Sequence, residues 1–311
     1  MTELPKRLKA FFRSFRVHRT LWLMMIPAIV YFLVFSYLPM AGAYFAFTKY
    51  EFKLGYFHSP YVGLSNFEYL FKSGILSQLT VKTLLYNLAF ILFGNATQIV
   101  CALFLNDLGS KKFVRVSQTI IFLPYFISMV LVGVFAYNLL NIDNGFINTV
   151  LRKLSGSDFN FYMTPGAWPF IIVIFHVWKG LGYGTIIYLS ALTSMDPELY
   201  EAARIDGANK WQQIGYITIP LLKPTAILLI LFSLGSIMKG NFELFYQLIG
   251  KNGYLYEATD IIDTYVYRAL MVNYDIGMSS AAGLYQSVFG FVLVVSVNAL
   301  VKKYEASYAL F

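Results

Sequence analysis

From Leu84 to Leu105 the chain reads LLYNLAFILFGNATQIVCALFL, twenty-two residues without one charged side chain. At 1.5 Å per residue a helix of that length is about 33 Å long, enough to cross a hydrocarbon core of roughly 30 Å. Inside a bilayer the segment has to be helical, because only a helix or a closed barrel satisfies its own backbone groups there. Working outward, similar runs lie at about 21–47, 116–140, 168–192, 225–249 and 281–301. Alternating ten-residue strands, the mark of a membrane barrel, are absent. The expected fold is an all-α polytopic membrane protein with about six transmembrane helices. Composition agrees: of 311 residues 58% are hydrophobic and only 13% charged, and the mean hydropathy is +0.60.

A net charge of +8 would suggest nucleic acid in a soluble protein. In a membrane protein it reports the retention of Lys and Arg on the cytoplasmic side, so no nucleic-acid partner is expected. With both termini inside, the cytoplasmic segments carry 14 Lys and Arg over about 72 residues, against 8 over about 94 outside. Lys179 and Lys239 fall within spans. Ala41-Gly42-Ala43 imitates a signal-peptidase site, but the apolar run before it is too long and Pro39 interrupts it, so an uncleaved first helix is expected. The lone Cys101 sits in an apolar run and reads as a packing residue. No clustered metal-ligating or catalytic set accompanies it, so neither a metal site nor an enzyme is expected.

Two parts follow from this layout: a basic segment at 1–20 and a membrane domain at 21–311. In the first, Leu8, Phe11, Phe12 and Phe15 stand at helical spacing between basic residues. That suits either an interfacial helix on the inner leaflet or a basic tail that only sets orientation. Loops 49–83, 141–167 and 250–280 are expected outside, and the loop 195–220 inside.

This inner loop carries a helix start at Asp196-Pro197-Glu198: a capping carboxylate, proline at the first helical position and an acid near the positive dipole end. The helix is expected to run to about Asp206. Gly207 then suits a left-handed reversal, and Asn209 caps a second short helix ending near Pro220. Leu199, Ala202, Ala203 and Asp206 cover one side, with Glu201 and Arg204 beside it. Small alanines admit close approach by another backbone, and the flanking charges supply register. An ordinary solvated amphipathic helix is the plain alternative.

The spacing Glu201-Ala202-Ala203, three residues, Gly207, nine residues, Ile217, one residue, Ile219, Pro220 resembles the signature of permease subunits of binding-protein-dependent ATP-binding cassette importers. Only Ile219 departs from it, standing where the family usually has Leu. The stretches Asp196 to Tyr200 and Ile205 to Trp211 resemble the carbohydrate-uptake branch, and Ile262 to Arg268 and Gly283 to Ser287 an oligosaccharide and polysaccharide subgroup. The resemblance implies that Glu201, Ala202, Ala203, Arg204, Asp206 and Gly207 form a coupling helix seated in an ATPase subunit. It further implies a second homologous permease, two cytoplasmic ATPases that bind ATP and Mg, an extracellular or periplasmic solute-binding protein and a bacterial cytoplasmic membrane. The chain has no phosphate-binding Gly-x-x-x-x-Gly-Lys-Ser/Thr loop, so hydrolysis is expected elsewhere.

Polar groups within spans are costly and mark a pathway by default. Trp178, Lys179 and Tyr183 in the fourth span and Lys239, Asn241 and Glu243 in the fifth are the expected substrate contacts, offering hydrogen bonds and aromatic faces to a saccharide. Structural readings compete with this one. Lys239 and Glu243 stand at i, i+4 and suit mutual neutralisation, while His176 reads as a packed histidine and Asn87, Asn95 and Gln98 as interhelical links. Gly180-Leu181-Gly182-Tyr183-Gly184 suits either a helix break or a close-packing surface. A permease for a non-sugar solute and an ion-driven secondary transporter are the rival functions. The latter usually shows inverted repeats, which are not evident here.

Overall fold

A computed structural model describes residues 17–304; the expected interfacial helix at Leu8 to Phe15 lies outside them. Among the described residues the chain is helical, with one isolated bridge between Thr48 and Tyr61. The principal helices, in chain order, are α1 (Arg19–Phe47), α2 (Ile75–Asp107), α3 (Lys111–Phe126), α4 (Met129–Leu140) and α5 (Phe146–Ser155). They continue with α6 (Trp168–Thr193), α7 (Pro197–Ile205), α8 (Lys210–Leu234), α9 (Phe242–Ile249), α10 (Ile262–Met271) and α11 (Ile276–Tyr304). Among the described residues five helices are long and apolar enough to cross a membrane, and the bent pair α3 and α4 makes a sixth crossing if taken as one.

Two expected spans differ from this. The run 116–140 is two helices that meet at 99°. Pro124, inside α3, has no N–H to give the Ile120 carbonyl and so weakens the last turn, Ile127 is extended, and Ser128 accepts from the Leu131 amide to start α4 afresh. The run expected at 225–249 begins instead at Lys210 and ends at Leu234, after which residues 235–241 turn and α9 starts from its Asn241 cap. Its early start also overturns the expected stop near Pro220. A widened turn at Ile214–Thr218 precedes Pro220, and the helix continues past both Pro220 and Pro224 to Leu234. α2 reaches nine residues further toward its N-terminus than the apolar run. Thr80 and Thr83 return their hydroxyls to the carbonyls of Leu76 and Leu79, which lets a polar opening turn remain helical.

The largest core joins α2, α4, α6 and α9 around Trp168, Phe245, Leu244 and Ile172. A second cluster sits at the other end of α2 and α6, where Ala102 and Leu105 of α2 meet Tyr188, Leu189 and Leu192 of α6 and Leu222 of α8. No residue of Arg19–Phe32 is buried.

Candidate functional site: a capped elbow and a polar cavity

The elbow is built as its residues require. Asp196 Oδ1 accepts from the Glu198 amide at 2.9 Å, and Pro197 occupies the first turn of α7. At the other end the Ala208 amide reaches the Ala203 carbonyl at 2.9 Å and the Gly207 amide the Arg204 carbonyl at 3.1 Å. This double closure needs a left-handed residue, and Gly207 supplies it at φ +79°. Asn209 and Gln212 then exchange side chain to backbone bonds at 2.7 and 3.0 Å, opening α8 with a capping box. Tyr200 Oη lies 3.1 Å from Thr218 Oγ1 and ties the two arms together. The expected reversal and both caps are therefore present.

No residue of α7 is buried. Glu201, Ala202, Arg204, Asp206 and Gly207 are exposed and Ala203 is half-buried. Ile205, Trp211 and Tyr216 are 86%, 80% and 82% exposed, an apolar set that water alone does not explain. Because α8 continues from the elbow into a span, displacement of α7 is displacement of that span.

Toward the middle of the bundle, a cavity of about 570 Å³ opens between α2, α6 and α8. Asn87, Ile91, Gly94, Asn95 and Gln98 line it from α2 at i, i+4, i+7, i+8 and i+11. His176, Gly180, Tyr183, Gly184 and Ile187 repeat the same spacing on α6, Leu229, Phe232 and Ser233 supply α8's stripe, and Ser236 adds to it from the turn that follows. None of the lining side chains is charged. The amides are held in place: Asn87 Nδ2 donates to the carbonyls of Thr83 and Ile237 at 2.9 Å each, and Gln98 Nε2 to Gly180 at 3.2 Å. Tyr188 donates to Asn95 Oδ1 at 2.7 Å, while His176 stacks on Phe90 with centroids 3.8 Å apart. Asn87, Asn95, Gln98 and His176 thus make the structural links their sequence suggested and line the cavity as well. Their shared stripe was the available signal.

Of the expected pathway residues, Tyr183 lines this cavity, stacked on Tyr125 at 5.4 Å. Trp178 faces a different, apolar groove and stacks on Phe135 at 5.7 Å. Lys179 points its ammonium at the break between α3 and α4, donating to the carbonyls of Pro124, Tyr125 and Ile127. Lys239 is exposed in the turn after α8, its carbonyl taking a 3.3 Å bond from Asn87. Asn241 caps α9 and Glu243 occupies that helix's first turn. The ion pairs among the described residues do not include Lys239 with Glu243. The glycine run resolves as a packing surface: α6 is continuous, and a Cβ on Gly182 would lie 2.5 Å from Phe122 Cα.

The C-terminal motif residues hold the turn beside the cavity. Asp263 Oδ2 accepts from the Gly240 amide at 2.7 Å and from Gln286 Nε2 at 2.9 Å, and Gln286 also reaches the Met238 carbonyl at 2.6 Å. Burial pushes the Asp263 carboxyl above its usual range, against the pull of these two donors. Arg268 pairs with Asp260 and lies 4.3 Å over the Tyr256 ring.

Comparison with known proteins agrees with this architecture. The family model described as "Binding-protein-dependent transport system inner membrane component" matches residues 94–306. Protein LplB of Bacillus subtilis is 34% identical over 285 residues, covering 92% of this chain and 89% of that one. The polygalacturonan/rhamnogalacturonan transport system permease protein YteP of the same organism is 36% identical, covering 91% and 88%. Among solved structures, a chain of a bacterial ABC transporter involved in the import of the acidic polysaccharide alginate superposes with TM-score 0.85 at 32% identity, over 94% of this chain and 99% of that one. A second structure, the alginate ABC transporter in complex with an alginate pentasaccharide-bound periplasmic protein, gives TM-score 0.83 over 94% and 97%. The chain belongs to the family of binding-protein-dependent transport system inner membrane components.

Proposed function

We propose that the chain is one of two homologous permease subunits of an ATP-driven importer for an oligo- or polysaccharide. The observation that carries the ATP-driven part is the elbow: exposed, closed by backbone bonds at Gly207, capped at both ends and continuous with a span. A part built this way passes on a push without absorbing it. In this reading α7 seats in a cytoplasmic ATPase through Ala202 and Ala203, with Glu201, Arg204 and Asp206 setting register. ATP and Mg belong to that partner.

The saccharide part rests on the cavity and on the relatives. Fixed amides, hydroxyls and ring faces without charge suit a polyol, which exchanges hydrogen bonds with water for bonds with the wall. YteP is named for polygalacturonan and rhamnogalacturonan transport and the structural relatives for alginate. We assign Tyr183 and the amide stripe of α2 to the wall, and Lys239, Asn241 and Glu243 to the rim. Trp178 and Lys179 support the wall from behind. The second permease closes the open side, and a solute-binding protein delivers cargo to the outer loops. In this reading the chain sits in a bacterial cytoplasmic membrane with both termini on its cytoplasmic side.

Reconstitution of the whole importer in proteoliposomes tests this. Uptake of saccharide should need the ATPase subunits, the binding protein and ATP. Uptake driven by an ion gradient without the ATPase would contradict it, and ATP-driven uptake of a non-sugar solute alone would overturn only the substrate class.

A further inference from the structure

Among the described residues a direct ionic contact lies between the elbow and the cavity: Lys210 Nζ is 2.7 Å from Asp107 Oδ2. Lys210 is the first helical residue of α8 after the Gly207 reversal, and Asp107 is the last residue of α2. Each charge opposes the dipole of its own helix, a cation at an N-terminus and an anion at a C-terminus. Each suits the other's helix. Neither residue therefore serves as a dipole cap for its own element, and the pairing itself is the favourable arrangement. Asp107 is also the one carboxylate in the stretch 106–115, among Lys111, Lys112 and Arg115, yet it is Lys210 that it meets.

We infer that Asp107 and Lys210 form a strut that passes elbow motion into α2, the helix bearing the cavity's amide stripe. The inference rests on the coupling reading of α7. Apolar contacts of Ala102 and Leu105 with α6 and α8 hold the helices together at this end but give no direction, since greasy surfaces slide over one another. A charged contact between two helix ends fixes one point of α2 to one point of the elbow. From Asp107 to Gln98 the helix rises about 14 Å, so a shift at the strut reaches the cavity along a rigid rod. Both side chains are about half exposed, at 59% and 41%. Such a pair is a weak source of stability, so its role should show in coupling rather than in folding. Asp107 and Lys210 are positioning residues in this account.

The test is a charge swap in the complete importer reconstituted in proteoliposomes, reading saccharide taken up per ATP hydrolysed. Asp107→Lys and Lys210→Asp should each lower that ratio about three- to fivefold with ATP hydrolysis retained, and the double variant should restore it, the signature of a pairwise interaction. Asp107→Asn and Lys210→Gln give the same reading without repulsion, should either reversal impair assembly. Unchanged ratios in both neutral variants, or a double swap no better than its worse single, would overturn the strut. Glu201→Ala serves as the separate arm. If it uncouples while the strut variants do not, the strut alone fails; if neither set has any effect, the coupling reading of α7 fails with it.

Discussion

Lys179 Nζ lies 2.5 Å from the Ile127 carbonyl and also meets those of Pro124 and Tyr125, so one ammonium closes the carbonyl end of α3 where the span breaks. A helix end at membrane depth has no water for its last carbonyls, and the lysine takes that place. Lys179→Met should destabilise the protein by about 1–2 kcal/mol, because three carbonyls, two of them in part-buried contacts, lose a charged donor at once. Thermal unfolding in detergent reads this. Lys179→Arg should recover part of the loss, and a Met variant as stable as wild type would return Lys179 to the pathway.

Gly182 and Gly180 make a matched pair. A Cβ on Gly182 would press on Phe122 Cα at 2.5 Å, whereas one on Gly180 would meet Gln98 Nε2 no closer than 4.0 Å. Gly182→Ala should therefore cost about 2 kcal/mol, since the clash is with backbone that cannot move aside, and Gly180→Ala should be close to neutral. Denaturation of the two variants side by side decides the matter.

The fold was largely legible because membrane spans are set by length and apolarity, and α1, α2, α6 and α11 lie where those criteria put them. The breaks were not. Pro124 and Gly235 to Gly240 sit in runs whose hydropathy alone reads as unbroken, and what keeps those breaks folded is distant in sequence: Lys179 for one, Asp263 with Gln286 for the other. In the elbow the reversal and both caps are closed by local contacts, from Asp196 to Gln212, which is why spacing sufficed for them, whereas the Asp107 to Lys210 pair was not legible. The cavity depends on three helices turning their stripes inward together. Asn87, Asn95 and Gln98 were visible as polar residues but not as a shared wall.

Asp263 gives a pH signature. Its carboxyl is raised in the folded state by burial, so the unfolded chain loses that proton first as pH rises. Stability from this group is full below the unfolded value, about pH 4, and falls as pH climbs through the folded value. Asp263→Asn keeps an oxygen to accept from Gly240 and should flatten that slope. Asp263→Leu removes the acceptor and should destabilise at every pH by about 2 kcal/mol. Unfolding midpoints across mildly acidic pH check both; equal slopes in wild type and the Asn variant would contradict the assignment.

On the cavity wall, Gln98→Leu removes an amide while keeping bulk. Among the described residues its side chain bonds the Gly180 carbonyl alone, so the fold should tolerate the change. Saccharide uptake should fall about tenfold, the loss expected when a hydrogen-bonding wall position goes unpaired. Assembly and basal ATP hydrolysis in the reconstituted importer should persist. Uptake at the wild-type rate would remove Gln98 from the path.

As a coupling element, α7 should plug into an ATPase on the inner side of the membrane. Site-directed cross-linking tests it most directly, with Cys101 replaced by Ala so that a new cysteine at Ala202 or Glu201 is the only thiol. The account predicts cross-links to the ATPase subunit and labelling only by reagents that reach the inner face. Labelling of that cysteine from outside intact cells, or no cross-link to any nucleotide-hydrolysing subunit in the assembled importer, would contradict it.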